Sequence, residues 1–87
     1  MKPLAPYDVV MPFSRTATFY AAKKRERKAL LDFFENLASH PFTESDWTVK
    51  DATGRPNFRT VVGRFLVTFR ADHAVREVRI LKIERVE

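Results

Sequence analysis

Between Arg15 and Ser39 the chain holds no Gly or Pro, and Leu30, Phe33, Phe34 and Leu37 recur at the i, i+3, i+4, i+7 spacing of one buried helical face. Extended backwards at about 100° per residue, that face takes Phe19 but also Lys23, Glu26 and Arg27. Charged side chains on an apolar stripe argue against one straight amphipathic helix. The pattern predicts two helices, roughly 14–22 and 24–39, with a bend near Lys23-Lys24. Ser14 is placed to cap the first, since its hydroxyl can accept from an early orphan N–H. His40-Pro41 ends the second, because proline disfavours helix at the residue before it, and His40 is expected to cap carbonyls there.

Elsewhere the period is two. Tyr7-Asp8-Val9-Val10-Met11 is a short β-prone run that Pro12 ends or confines to a sheet edge. Trp47-Thr48-Val49-Lys50 reads as a strand, Thr53-Gly54-Arg55-Pro56 as a turn, and Phe58 to Val62 as the returning strand. Gly63 marks a bulge or bend. Phe65, Val67 and Phe69 then alternate on one face. Ala71 to Ala74 is a connection, and Val78 to Ile83 closes the sheet.

Consecutive strands with short connections pair antiparallel, and a helical pair must bury its stripe on one sheet face. The expected fold is therefore α+β. It has two layers: a mainly antiparallel sheet of four to five strands, and a helical pair on one face. Residues 1–87 make one domain, with 1–6 a loose leader. Phe33, Phe34, Leu37, Phe65, Val67, Phe69 and Ile80 are expected in the core. Tyr7, Trp47 and the remaining phenylalanines are core candidates too, because a small domain needs large side chains to fill its interior.

Composition narrows the chemistry. The chain has 87 residues and no cysteine, which excludes disulfides, thiolate zinc sites and cysteine nucleophiles. Two histidines exclude a histidine-rich metal site, and two glycines exclude both common phosphate-binding glycine motifs. No cofactor is expected. No apolar stretch approaches the ~18 residues of a membrane span, and the first residues lack a signal-like apolar region, so a cytoplasmic location is expected. Lys plus Arg is 16 against 11 Asp plus Glu, a net charge of +5. That excess suits either an ordinary solvated surface or an anionic partner, nucleic acid or acidic protein.

The densest run is Lys23-Lys24-Arg25-Glu26-Arg27-Lys28. It reads as a solvated helix start or as a surface for phosphates or an acidic segment. Bases at a helix N-terminus oppose the macrodipole, so something other than the stability of that helix would keep them there. Arg55, Arg59, Arg64, Arg70, Arg76, Arg79 and Arg85 lie in the strand region. They either cover the solvent face of a one-sided sheet or grip phosphates, with Arg64 and Arg79, together with Lys50, as the candidate contacts. His73, after Asp72, is a bystander in a connection or a general acid or base.

The strings Tyr7 to Ser14, Leu37-Ala38-Ser39-His40-Pro41-Phe42, Val62 to Arg70 and Val78 to Ile83, in that order, resemble the RelE/ParE superfamily of bacterial toxins. The resemblance spans about residues 7–85. It implies a small sheet packed by a helical pair, and a type II toxin–antitoxin partnership in which an antitoxin tail wraps the toxin. It also implies one of two activities: ribosome-dependent cleavage of messenger RNA by RelE-like members without a metal, or inhibition of DNA gyrase by ParE-like members. A non-toxic nucleic-acid-binding or structural module is the remaining alternative.

Within the nuclease branch an Arg follows the aromatic of the Gly-x-aromatic strand, and here that position is Leu66. Arg59 matches a basic position on the preceding strand, with Asn57 two residues earlier. Arg85 matches a base beyond the last strand, and the aromatic that follows it in the family has no counterpart in Val86-Glu87. The resemblance thus nominates Arg59 and Arg85 for the scissile phosphate. They are expected on the same open sheet face, with His73 or Lys50 left as proton carriers. It favours a protein that acts by binding, its affinity coming from an apolar groove along the helices and its encounter rate from charge.

Overall fold

The computed structural model describes residues 6–41 and 45–86, and of residues 13–16 the backbone alone. The leader (1–5), the Ser14 hydroxyl and the side chains of Phe13 and Phe42 lie outside what is described. The elements run β1 (Asp8–Val10), α1 (Phe13–Ala21), α2 (Lys24–Ser39), β2 (Trp47–Lys50), β3 (Pro56–Val62), β4 (Phe65–Asp72) and β5 (Glu77–Arg85). The bend falls where the charge pattern puts it. Ala22 and Lys23 are extended between the helices. Helix α1 starts one residue before Ser14, with Pro12 at the cap position, so Ser14 is not the N-cap residue.

The strands form one sheet in the order β1-β5-β4-β3-β2. All pairings are antiparallel except β1 with β5, where Asp8, Val9 and Val10 run parallel beside Glu77, Val78 and Arg79. The sheet is thus mixed but mainly antiparallel, and β1 is an edge strand. Val62 and Phe65 pair across a two-residue turn in which Gly63 has φ +61°. Glycine at the first position of such a turn allows the positive φ that matches strand twist. Strand β4 extends to Asp72, so the last connection begins at His73 rather than Ala71. Pairing of Ala71 with Val78 and Asp72 with Glu77 prolongs the ladder.

Both helices lie on one face. Phe19, Ala22, Leu30, Phe34 and Leu37 meet Phe65, Val67, Phe69, Val78, Ile80 and Ile83 in a single core. Phe33 sits at the flank of the helical stripe and is half-buried, its ring edge-on to Phe69 at 5.7 Å between centroids. Trp47 departs from expectation: it is 53% exposed. It pairs directly with Arg59 on the outermost strand, facing away from the helices, where the core does not reach.

The β4–β5 ladder carries one irregularity. Thr68 pairs with Lys82 and Phe69 with Ile80, so Leu81 is an extra residue on β5. A bulge of this kind shifts the inward phase by one position. Val78 and Ile80 point to the core before it, and Ile83 after it.

Leu37 is fully buried on α2. Leu37→Ala is expected to lower unfolding free energy by about 2–5 kcal/mol, through lost transfer energy and the cavity left behind. Denaturant unfolding measures it; a loss under about 1 kcal/mol would contradict the packing described, since exposed sites rarely exceed that.

Candidate functional site

The face away from the helices is open, and its chemistry follows from register. On β3, Asn57, Arg59 and Val61 share it, because their neighbours Phe58, Thr60 and Val62 face Phe69, Val67 and Phe65 across the ladder. Thr68 lies opposite Arg59 from β4, and Trp47 lies opposite Arg59 from β2. Three buried polar atoms there lack a hydrogen-bond partner: Asn57 Oδ1, Arg59 Nε and Thr68 Oγ1. Thr68 is only 6% exposed. Buried polar groups are nearly always paired, so this cluster carries a cost that the fold alone does not explain. Beside it stand the exposed apolar side chains Trp47, Val49 and Val61.

Arg85 is elsewhere. It pairs with Phe65 after the bulge, so it projects on the helical side. Its guanidinium donates from Nη1 and Nη2 to the two carboxylate oxygens of Glu26 on α2, at 3.1 and 3.2 Å. It also lies 4.9 Å over the Phe65 ring, a cation–π position. Arg59 and Arg85 therefore do not share the open face. The physical reason is the extra residue on β5, which turns Arg85 inward.

His73 begins the β4–β5 turn, where the Tyr7 hydroxyl is 2.9 Å from its Nδ1. From Thr68 to His73 the strand rises roughly 3.3 Å per residue, which puts about 16 Å between His73 and the level of Arg59. The structure thus separates the three residues nominated for catalysis. Lys50 pairs with Pro56 and so sits on the opposite face from Trp47 and Val49, at the sheet edge.

The basic run resolves into distinct contacts. Arg27 Nη1 donates to the carbonyls of Ala22 and Tyr20 at 2.8 and 3.3 Å, beside the negative end of α1. Lys28 pairs with Asp32 one turn on, at 3.3 Å. Glu26 accepts the Lys23 backbone N–H at 2.9 Å, half of a capping box. Lys23, Lys24 and Arg25 instead line a cleft of about 530 Å³ with Glu26 and Arg64 from the β3–β4 turn. Arg79 pairs with Glu77 at 3.2 Å on the open face. The unpartnered cluster at Asn57 and Thr68 was not legible in sequence; a polar residue between Val67 and Phe69 was its only signal.

No family model and no curated relative matches the sequence. Among solved structures, the chain is similar to one in an archaeal RelE–RelB complex from Pyrococcus horikoshii. The TM-score is 0.78 at 16% identity, over 92% of this chain and 94% of that one. It is also similar to a chain of the RelBE2 toxin–antitoxin complex from Mycobacterium tuberculosis, with a TM-score of 0.75 at 20% identity, over 92% of this chain and 98% of that one. The fold is RelE-like.

Two outcomes follow for the arginines. Arg85→Ala is expected to lower the melting temperature, since it frees a Glu26 carboxylate that is only 15% exposed. Arg59→Ala leaves it unchanged or slightly higher, since no bond to Nε is lost. The Arg85 hydrogen bonds, and next the Lys23 N–H, hold the Glu26 carboxyl below its ordinary value of 4.5. Its contribution to stability is therefore full above the ordinary glutamate range and fades as pH falls through the lowered folded value. Thermal melts from neutral to acid pH should show this loss, and Glu26→Gln should flatten it. Identical pH profiles would remove the pair from the account.

Proposed function

We propose that the chain is the toxin component of a type II toxin–antitoxin pair, that it acts by binding, and that a cognate antitoxin neutralises it. The RelE-like fold supports the pairing, since the two solved structures named above are complexes of this kind. The observation that carries the binding reading is the dispersal of the nominated catalytic side chains. Metal-independent RNA cleavage needs charge stabilisation and proton transfer at one phosphate. Arg59 lies on the open face, Arg85 is engaged with Glu26 on the helical side, and His73 sits at the far turn.

The open face supplies what a binding protein needs. Trp47, Val49 and Val61 offer exposed apolar area around Arg59, and aromatic and Arg side chains dominate interface energetics. Among the described residues, the large apolar side chains exposed on the helices are Tyr20 and Leu31, one on each helix, whereas Trp47, Val49 and Val61 share one sheet face. Lys23, Lys24, Arg25 and Arg64 add positive charge that speeds encounter with an acidic partner. The RelE-type nuclease is the second reading, and the unpartnered Arg59 Nε favours it. No helix among the described residues is long and apolar enough to cross a membrane.

Induced expression in a bacterium is expected to arrest growth, and co-expression of a small acidic protein encoded beside the gene to restore it. Primer extension on messenger RNA after induction should show intact message. Cuts within codons would establish the nuclease reading instead, and an absence of growth arrest would overturn the toxin assignment. Arg59→Ala and Trp47→Ala should each weaken the toxic effect about tenfold or more, the usual cost of removing a buried interface anchor.

A further inference from the structure

A cleft of about 460 Å³ is lined by Arg55, Phe58, Arg70, His73 and Arg79, with Asp72 at its wall. We propose that it binds a small phosphorylated molecule, a mononucleotide or one of like chemistry. Arg70 and Arg79 lie on the open face beside the cluster of Asn57, Arg59 and Thr68, but none of those three residues lines the cleft, and the proposal stands whether or not the toxin reading holds.

Arg70 and Arg79 are directly opposite one another on β4 and β5. Like charges in that position destabilise a sheet. Their carboxylate partners offset this only in part. Asp51 reaches Arg70 Nη1 with Oδ2 at 3.4 Å, while its Oδ1 accepts from Thr53 N, Thr53 Oγ1 and Arg55 N at 2.9, 2.7 and 2.9 Å. Asp51 is thus committed to shaping the β2–β3 hairpin. Glu77 meets Arg79 through Nη2 alone, at 3.2 Å. Asp72 is turned to its own connection, accepting the Ala74 N–H at 3.2 Å.

Each ion pair therefore uses one guanidinium nitrogen, and the remaining N–H groups of Arg70 and Arg79 are not engaged among the described residues. Two adjacent guanidinium forks match the oxygens of a phosphate, and Arg55 brings a third. A phosphate monoester, with up to two negative charges, fits them better than a single carboxylate. Phe58 also lines the cleft, half-buried with its ring 5.7 Å from that of Phe69 between centroids. The His73 ring is fixed at the rim by the Tyr7 hydroxyl. The volume is in the range of small-ligand sites.

The test is calorimetric titration of the full chain with AMP and with inorganic phosphate. Saturable binding of both is expected, tighter for AMP, with adenosine showing none. Arg70→Ala and Arg79→Ala should each weaken AMP binding about tenfold or more, the effect of losing a charge-assisted bond. Arg70→Lys keeps the charge but not the fork, and should weaken it too; this variant decides the matter if Arg70→Ala does not fold. Lys82→Ala removes the same charge from the same sheet and should leave the affinity unchanged. No saturable binding of either probe overturns the proposal, as does equal weakening in Lys82→Ala. Binding of a 5′-phosphorylated oligoribonucleotide without binding of AMP would assign the cleft to a nucleic-acid end and overturn the small-molecule reading.

Discussion

The extra residue on β5 governs how the two halves of this sheet relate. Strand β5 packs against β4 along its whole length, and both must bury a continuous apolar face under the helices. Val78 and Ile80 serve that face before Leu81, and Ile83 serves it afterwards. The bulge lets one strand present two apolar sets of opposite parity to one core. It also carries Arg85 to the helical side, and it places Lys82 and Glu84 together on the open face, where they pair at 3.5 Å. Without the phase change, Arg85 would face solvent on the open side and Glu26 would lose its partner.

Glu26 joins two parts of the fold through one carboxylate. It accepts the backbone N–H that precedes α2 and both arms of the Arg85 guanidinium. The helix junction is thereby tied to the end of the last strand. Arg27 works on the other side of the same junction, donating to the carbonyls that end α1. Arg27, one of the cations that oppose the dipole of α2, thus lies beside the negative end of α1, and this meeting of two helix ends accounts for that part of the basic run.

The open face has the opposite character. Its atoms are under-used: buried oxygens and an Arg nitrogen lack partners, and the tryptophan stands in solvent. Such groups cost stability unless a partner meets them. An exposed edge strand flanked by apolar side chains is likewise a surface that invites pairing. The apolar core lies between the helices and β4–β5, whereas the unmet bonding capacity among the described residues lies on the open face of β3 and β4.

Local pattern was enough to place the helices, their bend and the strands. Spacing decides which residues share a helical face, and charge on the stripe marks where one helix must give way to two. The core residues followed from the same periodicity, apart from Phe33 at the flank and Trp47. Trp47 is bulky and β-prone in any sequence reading; the sheet order, which puts β2 last, and the register, which turns Trp47 away from the helices, leave it exposed. The face of Arg85 depended on a bulge. Its sole sequence trace is the adjacent pair Ile80-Leu81 before Ile83, and a strand read at strict period two passes over it. The dispersal of Arg59, Arg85 and His73, and the convergence of Arg55, Arg70 and Arg79, are long-range outcomes of strand order and register. They are fixed by pairing between residues far apart in the chain, which the order of residue types along one strand does not specify.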